Sequence, residues 1–576
     1  MSHEKSGLTR RQIIQGTGAV VAGSAVGLST SCAAEHWDKT TDVLVVGSGI
    51  GGATAAFTAH NNGDKTLILE KAGNYGGTTA RSAGVIWAPN NFLLRERGIN
   101  DDKESCLKYM ARFSWPQRYN PDDKTLGLSQ YDYEMLEAFY DNNSKVVDLM
   151  HESGTLKLKE WRGFVGVHDA PPDYLDHADE NRVPSGRAIG VSIGENSTGL
   201  GAHLMEQMKA ALDKIGVPLR LEHEVTSVIV DENNRAIGVV VKHKGNEIRV
   251  KANKGVIFTT GGYAHNTEFI ANYQRSNLYG ACASPHAMGD FIRIAGAAGA
   301  RMGNLSGAWR AQVVLEQSLA NRVIPAGVFI VPGDSMIQVN RYGKRVVNEK
   351  RNYNDRSEIH SQYNPSDAEF PNHLLFFIYD QRTAEAFAGA HPVPKKPGDS
   401  EYVLQGDTLD GLTNAIQNRL QKHAASIGGF TLDNSFTSNL KETINRYNEF
   451  ANNGKDLDFQ RGDSAYDRAW SKIFAPFNKE SGWPENDKPN DSMYPFREKG
   501  PYFATILAPG CLDTNGGPLI NANAQVLDSH DKPMKGLYGA GNCIASPSGE
   551  AYYGAGHTIG LAMTFAYIAA NHAHNG

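Results

Sequence analysis

The chain has 576 residues, a length that excludes a peptide hormone or a single small binding module. Its formal net charge of −6, from 57 Lys and Arg against 63 Asp and Glu, gives no positive surface charge of the kind that binds nucleic acid or an anionic membrane. Hydrophobic residues make up 40% and charged residues 21% of the sequence, with no apolar run of membrane-spanning length, so we expect a soluble, folded protein with two or three sizeable cores. Glycine is in excess, at 60 residues, against a usual share of about 7%.

The amino terminus predicts an export signal. Arg10 and Arg11 stand in the string TRRQII, which resembles a twin-arginine signal, and a mild Gly/Ala-rich apolar stretch follows at residues 13–28. We therefore expect residues 1–34 to be a twin-arginine signal peptide that sends a folded, cofactor-loaded protein to the periplasm. A mildly apolar disordered tail is the alternative. Cys32 is either a poor lipoprotein site or lies near a cleavage site, and we favour cleavage.

The first folded element predicts a nucleotide site. Residues 41–46 form a continuous β-branched run, typical of a buried strand, which leads directly into the string GSGIGG at residues 47–52. Gly47 permits the tight turn, Gly49 lets the backbone approach a pyrophosphate, and Gly52 lets the next helix pack closely on the strand.

The following elements complete this prediction. A helix expected at residues 53–62 directs its N-terminal amides at the phosphates, and a second strand at residues 65–69 ends at Glu70. That carboxylate is placed to accept hydrogen bonds from the ribose hydroxyls of an adenosine. A GxGxxG string alone is a weak signal, but the two strands, the helix and the carboxylate together predict dinucleotide binding.

The segment after the second strand resembles that of a known family. The strings GGTT at residues 76–79 and SAG at residues 82–84 are similar to those that lie along the ribityl chain and isoalloxazine ring of FAD in the fumarate reductase/succinate dehydrogenase flavoprotein superfamily. The small residues would permit close backbone approach to the flavin. The resemblance continues at residues 255–262, 289–290 and 536–542.

The resemblance implies that FAD is bound noncovalently. Superfamily members with covalently attached flavin carry a histidine in the early loop, and none stands between Lys71 and Trp87. The cofactor-binding residues implied are Gly47, Ser48, Gly49, Ile50, Gly51, Gly52, Glu70, Lys71, Gly77, Thr78, Thr79, Ser82, Ala83, Gly84, Val225, Thr260, Gly261, Gly262, Asp290, Gly541, Asn542, Thr558 and Ile559.

The same resemblance implies the domain organisation. We expect an α/β protein with a Rossmann-like FAD-binding domain, split into residues 41–303 and 499–576, and an inserted α+β substrate-capping domain at residues 304–498. Alternating segments between residues 219 and 250 predict a small antiparallel sheet.

Within the predicted capping domain, residues 338–349 resemble a hairpin signature of the superfamily. Reductases of fumarate-like acids place an arginine four residues after the glutamate of this signature, where it protonates substrate carbon. Tyr353 occupies that position here, which is similar to 3-ketosteroid Δ1-dehydrogenases. Arg351 is nearby, and a small register shift would restore it. A fumarate- or urocanate-type reductase of an unsaturated acid is therefore the alternative.

The carboxyl-terminal segment at residues 548–560 resembles a loop of the ketosteroid dehydrogenases. Carried over by position, the Tyr552 hydroxyl and the Gly556 amide would hold a ketone oxygen. Tyr553 and Ala555 stand where the steroid enzymes have prolines, which leaves loop rigidity and substrate size open.

These residues suit the removal of an α proton and a β hydride from a ketone. Tyr552 and Gly556 would stabilise the negative charge that the carbonyl oxygen gains. Tyr353 would remove the α proton, and Tyr174, in a segment similar to one that supplies a second pocket tyrosine in that family, would favour its deprotonation or relay the proton. The hydride would pass to flavin N5. We expect an FAD-dependent dehydrogenase of a 3-ketosteroid or of a smaller ring such as cyclohexanone.

Two alternative functions, a reductase of an unsaturated acid and a non-catalytic flavin protein, have less support in the sequence. Arginine is absent from two expected anion-binding positions, which favours an uncharged ketone over an unsaturated acid, and no CxxCH string supplies the haem that such reductases use. A non-catalytic flavin carrier or sensor would need no such tyrosines.

The five cysteines form no CxxC pair and no HExxH is present, so we expect no protein-held metal. The electron acceptor would be external.

Overall fold

The computed structural model describes residues 36–163, 168–195 and 197–576; the predicted signal peptide lies outside them. The strands are β1 (Lys39–Val46), β2 (Thr66–Leu69), β3 (Val85–Trp87), β4 (Leu158–Glu160), β5 (Ala188–Gly194), β6 (Ser197–Thr198), β7 (Leu219–Arg220), β8 (Glu224–Val230), β9 (Ala236–His243), β10 (Asn246–Phe258), β11 (Gly280–Ala281), β12 (Met302–Gly303), β13 (Ala308–Val314), β14 (Met336–Val339), β15 (Leu375–Asp380), β16 (Val403–Gly406), β17 (Tyr502–Thr514), β18 (Gly517–Pro518), β19 (Gln525–Leu527) and β20 (Pro533–Gly539). The α-helices are α1 (Ile50–Asn61), α2 (Phe92–Glu96), α3 (Lys103–Ser114), α4 (Gln130–Glu152), α5 (Gly201–Lys214), α6 (Thr267–Tyr273), α7 (Asp290–Ala297), α8 (Leu315–Ala320), α9 (Tyr353–Ser357), α10 (Gln381–Ala386), α11 (Leu409–Lys422), α12 (Phe436–Asn453), α13 (Ala465–Phe474) and α14 (His557–Asn575).

The first sheet has strand β1 at its centre. Its parallel strands run in the order β20-β10-β1-β2-β7. Val43, Leu44 and Val45 are fully buried, because helices cover both faces of a parallel sheet and leave no solvent face for polar residues to alternate onto. Helix α1 connects β1 to β2, and α14 packs against α1. This is the α/β fold class that the sequence predicts.

The antiparallel strands predicted between residues 219 and 250 form part of the first sheet. Strands β8 and β9 do pair antiparallel, and β9 pairs with β10. Strand β10, however, is 13 residues long, and its second half pairs in parallel with β1. The pairing with β1 is interrupted by a register shift at Asn253 and Lys254 and resumes at Gly255, so these strands belong to the first sheet.

A second sheet has β17 at its centre. This strand pairs with β11, β13, β15 and β16, and β14 pairs with β15. The predicted boundary between residues 498 and 499 therefore falls just before the strand on which the predicted capping segment is built. Residues 38–576 form one compact unit, and the division into a split cofactor domain and an inserted cap stays a prediction.

Helices α11 and α12 cover this second sheet. Each presents one apolar face at helical spacing, with Leu412, Ile416 and Leu420 on the first and Leu440 and Ile444 on the second, all buried in one core with the sheet. Among the described residues, no helix combines the length and the apolar character that crossing a membrane requires.

Candidate active site

A cleft with about 1040 Å³ of empty space lies at the carboxyl ends of the parallel strands. Its lining includes Val46 and Leu69, which end β1 and β2, and Thr259 and Ala540, which directly follow β10 and β20. Ligands of open α/β sheets bind at this edge, because the loops diverge there and the N-terminus of the next helix faces the opening. We call this cleft the first cavity.

The glycine-rich turn shapes one wall of the first cavity. Gly47 has φ +102°, and a Cβ on it would lie 2.6 Å from the Thr259 carbonyl oxygen. A Cβ on Gly52 would lie 1.9 Å from the Gly47 carbonyl oxygen, so only glycine lets α1 pack on β1 here. Gly49 differs: the nearest atom to an added Cβ is Thr79 Oγ1 at 3.6 Å. The space over Gly49 belongs to the cavity, as a bound pyrophosphate requires.

Glu70 lies at the end of β2 in the same cavity. Its Oε2 accepts hydrogen bonds from the Ser48 N–H at 2.9 Å and the Ser48 hydroxyl at 2.8 Å, and its Oε1 accepts one from the Ala72 N–H at 2.8 Å. These bonds fix the carboxylate in place. Each oxygen of an ionised carboxylate has two lone pairs, so Glu70 keeps acceptor capacity for ribose hydroxyls.

A second polar group lining the first cavity is the carboxyl of Asp513, near the end of β17. Its Oδ2 accepts hydrogen bonds from the Gly262 N–H at 3.0 Å and the Asn542 amide at 3.1 Å. Burial raises the pKa of the Asp513 carboxyl to about 6, against the opposing effect of these hydrogen bonds. Lys71 and Asp290, both predicted as cofactor residues, form an ion pair on the wall.

Most of the predicted cofactor residues line the first cavity. Gly52 and Gly262 line neither cavity, because one packs α1 on β1 and the other bonds to Asp513, and Ala83 and Gly84 line a neighbouring cavity instead. The residues that line it as predicted are Gly47, Ser48, Gly49, Ile50, Gly51, Glu70, Lys71, Gly77, Thr78, Thr79, Ser82, Val225, Thr260, Gly261, Asp290, Gly541, Asn542, Thr558 and Ile559.

The sequence analysis missed several lining residues, among them His223, Ser284, His286 and Asp513. A carboxylate near the end of a long apolar strand marks Asp513, whereas no local pattern marks the other three. The glycine turn at a helix N-terminus and the fixed Glu70 both fit FAD, with residues 47–52 at its pyrophosphate and Glu70 at its ribose.

A second cavity, with about 1100 Å³ of empty space, adjoins the first. Thr78, Ser82, Thr558 and Ile559 line both, so a ligand in one lies next to a ligand in the other. The rest of the lining is largely apolar and aromatic, which is typical of a pocket for an organic substrate. These walls include Trp161, Leu200, Pro325, Phe329, Trp470, Phe474 and Leu512.

The structure brings the predicted residues Tyr174, Tyr353, Tyr552 and Gly556 together on the wall of the second cavity. The hydroxyl oxygens of Tyr174 and Tyr353 are hydrogen bonded at 3.1 Å. The Tyr552 ring stacks on Tyr174, with centroids 5.3 Å apart, and meets Tyr353 edge-on at 5.5 Å. The three rings form one contiguous cluster that we call the tyrosine cluster.

Backbone hydrogen bonds set the position of these rings. Tyr353 is the first residue of α9, whose N-cap Asn352 accepts a hydrogen bond from the Asp355 N–H at 2.9 Å. The Tyr174 N–H donates to the Tyr553 carbonyl at 3.1 Å. Tyr174 is thereby tied directly to the loop that carries Tyr552.

Gly556 offers a free amide beside the tyrosine cluster. Its φ is +88°, and a Cβ on it would lie 2.3 Å from the Val85 carbonyl oxygen, so the loop can pass strand β3 here only with glycine. Its carbonyl accepts a hydrogen bond from the Trp87 N–H at 3.1 Å. Its own N–H has no acceptor within the described ranges. The amide is therefore available to a ligand.

Burial keeps the tyrosine cluster protonated. It raises the pKa of Tyr353 and of Tyr174 well above the ordinary value. Tyr174 and Tyr552 raise the pKa of Tyr353 further, whereas the hydrogen bond with Tyr353 lowers that of Tyr174. The pKa of Tyr552 is also raised by burial, while hydrogen bonds from Tyr353 and Thr558 oppose the increase. All three hydroxyls are neutral donors at pH 7.

Arg351 does not take the place that the alternative prediction requires. It lines neither cavity. One terminal nitrogen donates to the Tyr174 carbonyl at 2.9 Å and the other to Ser464 Oγ at 3.1 Å, and the guanidinium lies 5.7 Å from the centre of the Tyr466 ring. The register is the one in which Tyr353 lines the cavity.

His557 is buried behind the loop rather than exposed to the cavity. Its Nε2 is hydrogen bonded to Ser548 Oγ at 2.8 Å, and burial lowers the pKa of the imidazole to about 3. A histidine that stays neutral in this way is no proton donor at pH 7. The bond joins the two ends of the loop that carries Tyr552 and Gly556.

The fold, the glycine turn and the paired cavities define a flavin-dependent oxidoreductase. The chain belongs to the FAD binding domain family, whose model matches residues 42–559, and FAD is its cofactor. It is similar to a 3-oxosteroid 1-dehydrogenase of Mycolicibacterium smegmatis, with 30% identity over 92% of this chain and 96% of that protein. It is also similar to a 4-oxocyclohexanecarboxylate 2-dehydrogenase of Sinomonas cyclohexanicum, with 29% identity over 92% of each.

A solved structure agrees with this assignment. The 3-ketosteroid Δ1-dehydrogenase from Sterolibacterium denitrificans, in complex with 1,4-androstadiene-3,17-dione, superposes with a TM-score of 0.75 at 26% sequence identity. The match covers 93% of this chain and 100% of that one. The expected superfamily resemblance and fold are therefore confirmed.

Proposed function

We propose that the protein dehydrogenates a cyclic ketone, forming a carbon–carbon double bond next to the carbonyl. The observation that carries this proposal is that Tyr552 and the unbonded Gly556 N–H line the same largely apolar cavity as the hydrogen-bonded pair Tyr174 and Tyr353. The relatives' names support it, since both denote an oxo-substituted ring as the compound dehydrogenated.

The first step is polarisation of the ketone. The neutral Tyr552 hydroxyl and the Gly556 N–H both donate to the carbonyl oxygen and stabilise the negative charge that it gains as the α carbon loses its proton. Two donors in a water-poor, apolar pocket are worth more than in bulk water, because no solvent screens them. This places the ketone oxygen at the tyrosine cluster.

The second step is removal of the α proton. Tyr353 accepts it in its phenolate form, and the Tyr174 hydroxyl, 3.1 Å away, is placed to relay the proton. The raised pKa of Tyr353 makes the phenolate scarce at pH 7 but strongly basic once formed. The departing proton thus goes to the Tyr353 oxygen.

FAD, when bound in the first cavity, supplies the acceptor for the hydride that leaves the β carbon. The protein contributes the apolar walls of the second cavity, which exclude water from the reacting carbons and hold the ring against the shared residues Thr558 and Ile559. The substrate loses one proton and one hydride, and the electron pair of the α C–H bond becomes the double bond.

The test is anaerobic reduction of the oxidised holoenzyme. Addition of 3-oxosteroids, cyclohexanone and 4-oxocyclohexanecarboxylate in separate experiments should bleach the flavin absorbance with at least one of them, and the product should be the α,β-unsaturated ketone by mass spectrometry. A holoenzyme that no cyclic ketone reduces, but whose reduced form is reoxidised by fumarate or urocanate, contradicts the proposal. No observation on the site favours that reductase activity, because Arg351 lies outside the cavity.

We propose further that the twin-arginine pathway exports the protein to the periplasm. The support is the pair Arg10-Arg11 and the mild apolar stretch after it, a route that suits a protein which folds around its cofactor before export. Replacing both arginines by lysine should leave the protein in the cytoplasm in cell fractionation. Unchanged periplasmic recovery of that double variant would contradict the proposal.

A further inference from the structure

The second cavity contains one charged side chain. Of the described residues that line it, Arg81 alone carries a full charge at pH 7, and no aspartate or glutamate lines it. The other polar groups are neutral hydroxyls and a thiol, that of Cys282, whose pKa burial raises to about 12. Arg81 is an exposed residue, so its guanidinium lies on the open side of the cavity, in contact with solvent, and its alkyl stem packs along the wall.

The guanidinium of Arg81 is held in place by backbone carbonyls. Its Nε donates to the Cys282 carbonyl at 3.1 Å and its Nη2 to the Ile324 carbonyl at 3.2 Å. Its Nη1 has no partner within the part of the chain that the structure describes, and no carboxylate forms an ion pair with it there. The group is thus oriented, charged and left with an unused donor.

The surroundings add positive charge rather than neutralising it. Arg322 donates to the Tyr279 and Ala264 carbonyls at 3.3 and 3.5 Å, forms no ion pair with a described residue, and has a buried Nε without a partner among them. Burial lowers the pKa of His265, and the charges of both Arg322 and Arg81 lower it further. The two guanidiniums therefore act on one neighbourhood.

We propose that the substrate is an oxo acid, a cyclic ketone that also carries a carboxylate, and that Arg81 binds this carboxylate. The proposal rests on the ketone dehydrogenation proposed above and specifies its substrate class. The ketone oxygen lies at the tyrosine cluster, and the carboxylate accepts a charge-assisted hydrogen bond from Nη1 of Arg81.

Guanidinium is suited to this task. Its planar array of donors matches a carboxylate, and it remains charged at every physiological pH. The sequence analysis expected an uncharged substrate because two other positions lack arginine; Arg81 lies at neither of them, so that expectation applies only to the ketone end. A monocyclic oxo acid and an oxosteroid with a carboxylate side chain share this recognition chemistry.

The experiment compares acids with their own methyl esters in the purified holoenzyme. The wild type should show a kcat/KM roughly tenfold to a hundredfold higher for 4-oxocyclohexanecarboxylate, or for a 3-oxosteroid carboxylic acid, than for the matching ester. Whichever acid shows the greater preference identifies the ring system. Arg81→Met should abolish the preference, mainly by raising KM for the acid, while kcat/KM for the ester changes less than about threefold.

Arg81→Lys should restore part of the preference, and Arg95→Met, which removes one positive charge on helix α2 outside both cavities, should leave it intact. Equal kcat/KM for acid and ester in the wild type, with the esters oxidised, overturns the oxo-acid proposal and leaves ketone dehydrogenation standing. An Arg81→Met variant that loses activity equally on acid and ester, at full flavin content, also overturns it. Failure of every ketone to reduce the flavin is the separate failure of the proposed function.

Discussion

The hydroxyl oxygens of Tyr174 and Tyr353 lie 3.1 Å apart although 179 positions separate the two residues in the chain. Both are buried, and the groups with the largest effects on their pKa values include no cation. Their shared hydrogen bond lowers the pKa of Tyr174 and raises that of Tyr353. In the mechanism proposed above, this pair receives and relays the α proton.

Replacing Tyr353 by Phe removes the group that accepts the α proton. We expect kcat to fall by about 10² to 10⁴, the usual contribution of a positioned base, with flavin content unchanged because Tyr353 does not line the first cavity. The measurement is stopped-flow flavin reduction by the best ketone. For Tyr174→Phe, kcat should fall by less, roughly tenfold, since this change removes only one hydrogen bond to the Tyr353 phenolate. Full activity of Tyr353→Phe would rule out its role as the base.

The rate of flavin reduction should rise with pH. The pKa of Tyr353 lies well above the ordinary tyrosine value of about 10, so below that pKa the phenolate fraction grows tenfold for each pH unit. We expect log kcat to increase with a slope near one between pH 7 and about 10, without a plateau. Burial lowers the pKa of His557 to about 3, so this residue should cause no change in kcat at acidic pH above that value. A plateau reached below pH 8 would argue for a different base.

Tyr552 and Gly556 should contribute to the chemical step through the ketone oxygen. Tyr552→Phe removes one of two donors and should lower kcat by about 10² to 10³, while the protein keeps its flavin and its melting temperature. The Phe ring has the same shape and preserves the packing on Tyr174. An unchanged melting temperature and flavin content therefore serve as the control for correct folding. If Tyr552→Phe instead releases FAD, the hydroxyl has a structural role and the assignment fails.

Gly52→Ala should prevent FAD from binding. The new Cβ would lie 1.9 Å from the Gly47 carbonyl oxygen, so α1 must move away from β1 and displace the amides expected at the pyrophosphate. We expect purified protein with little flavin absorbance and a free energy of unfolding lower by about 1–3 kcal/mol. Gly73→Ala is the matched control, because nothing lies within 4 Å of a Cβ there. Normal flavin content in Gly52→Ala would refute this packing argument.

Ser548→Ala should loosen the loop that carries Tyr552 and Gly556. It leaves the buried His557 Nε2 without its partner at 2.8 Å, at a cost of about 1–3 kcal/mol in unfolding free energy. The loop then holds the ketone less well, and kcat should fall several-fold with KM nearly unchanged. Replacing the exposed Ser529 by Ala is the control for thermal denaturation and kinetics. Unaltered stability of Ser548→Ala would show that the bond is dispensable.

The cofactor half of the fold was predictable from local sequence. A buried strand, a glycine turn, a helix and an acidic residue follow one another within residues 41–70, and short-range sterics dictate each. The pairing of β17 with β11, β13, β15 and β16 was not predictable in this way. Those contacts join distant segments, and the buried residues of a central strand carry no alternation that identifies its neighbours.

The candidate site shows the same division. Tyr353, Tyr552 and Gly556 were found because they stand at fixed spacing from recognisable strings. Arg81 lies between two of those strings, at residues 76–79 and 82–84, but its importance depends on what surrounds it. Its surroundings are a cavity whose described lining has no acidic group and two backbone carbonyls that orient it. Charge compensation is a property of the folded neighbourhood, and sequence spacing does not report it.

Strand β17 contributes adjacent residues to the walls of both cavities. Leu512 on this strand lines the second cavity and Asp513, the next residue, lines the first, while the remainder of the strand is the spine of the second sheet. A movement of that sheet away from the flavin would break the hydrogen bonds that Asp513 accepts from Gly262 and Asn542. The walls of the two cavities are thus joined through one strand, and a displacement of one wall is transmitted to the other.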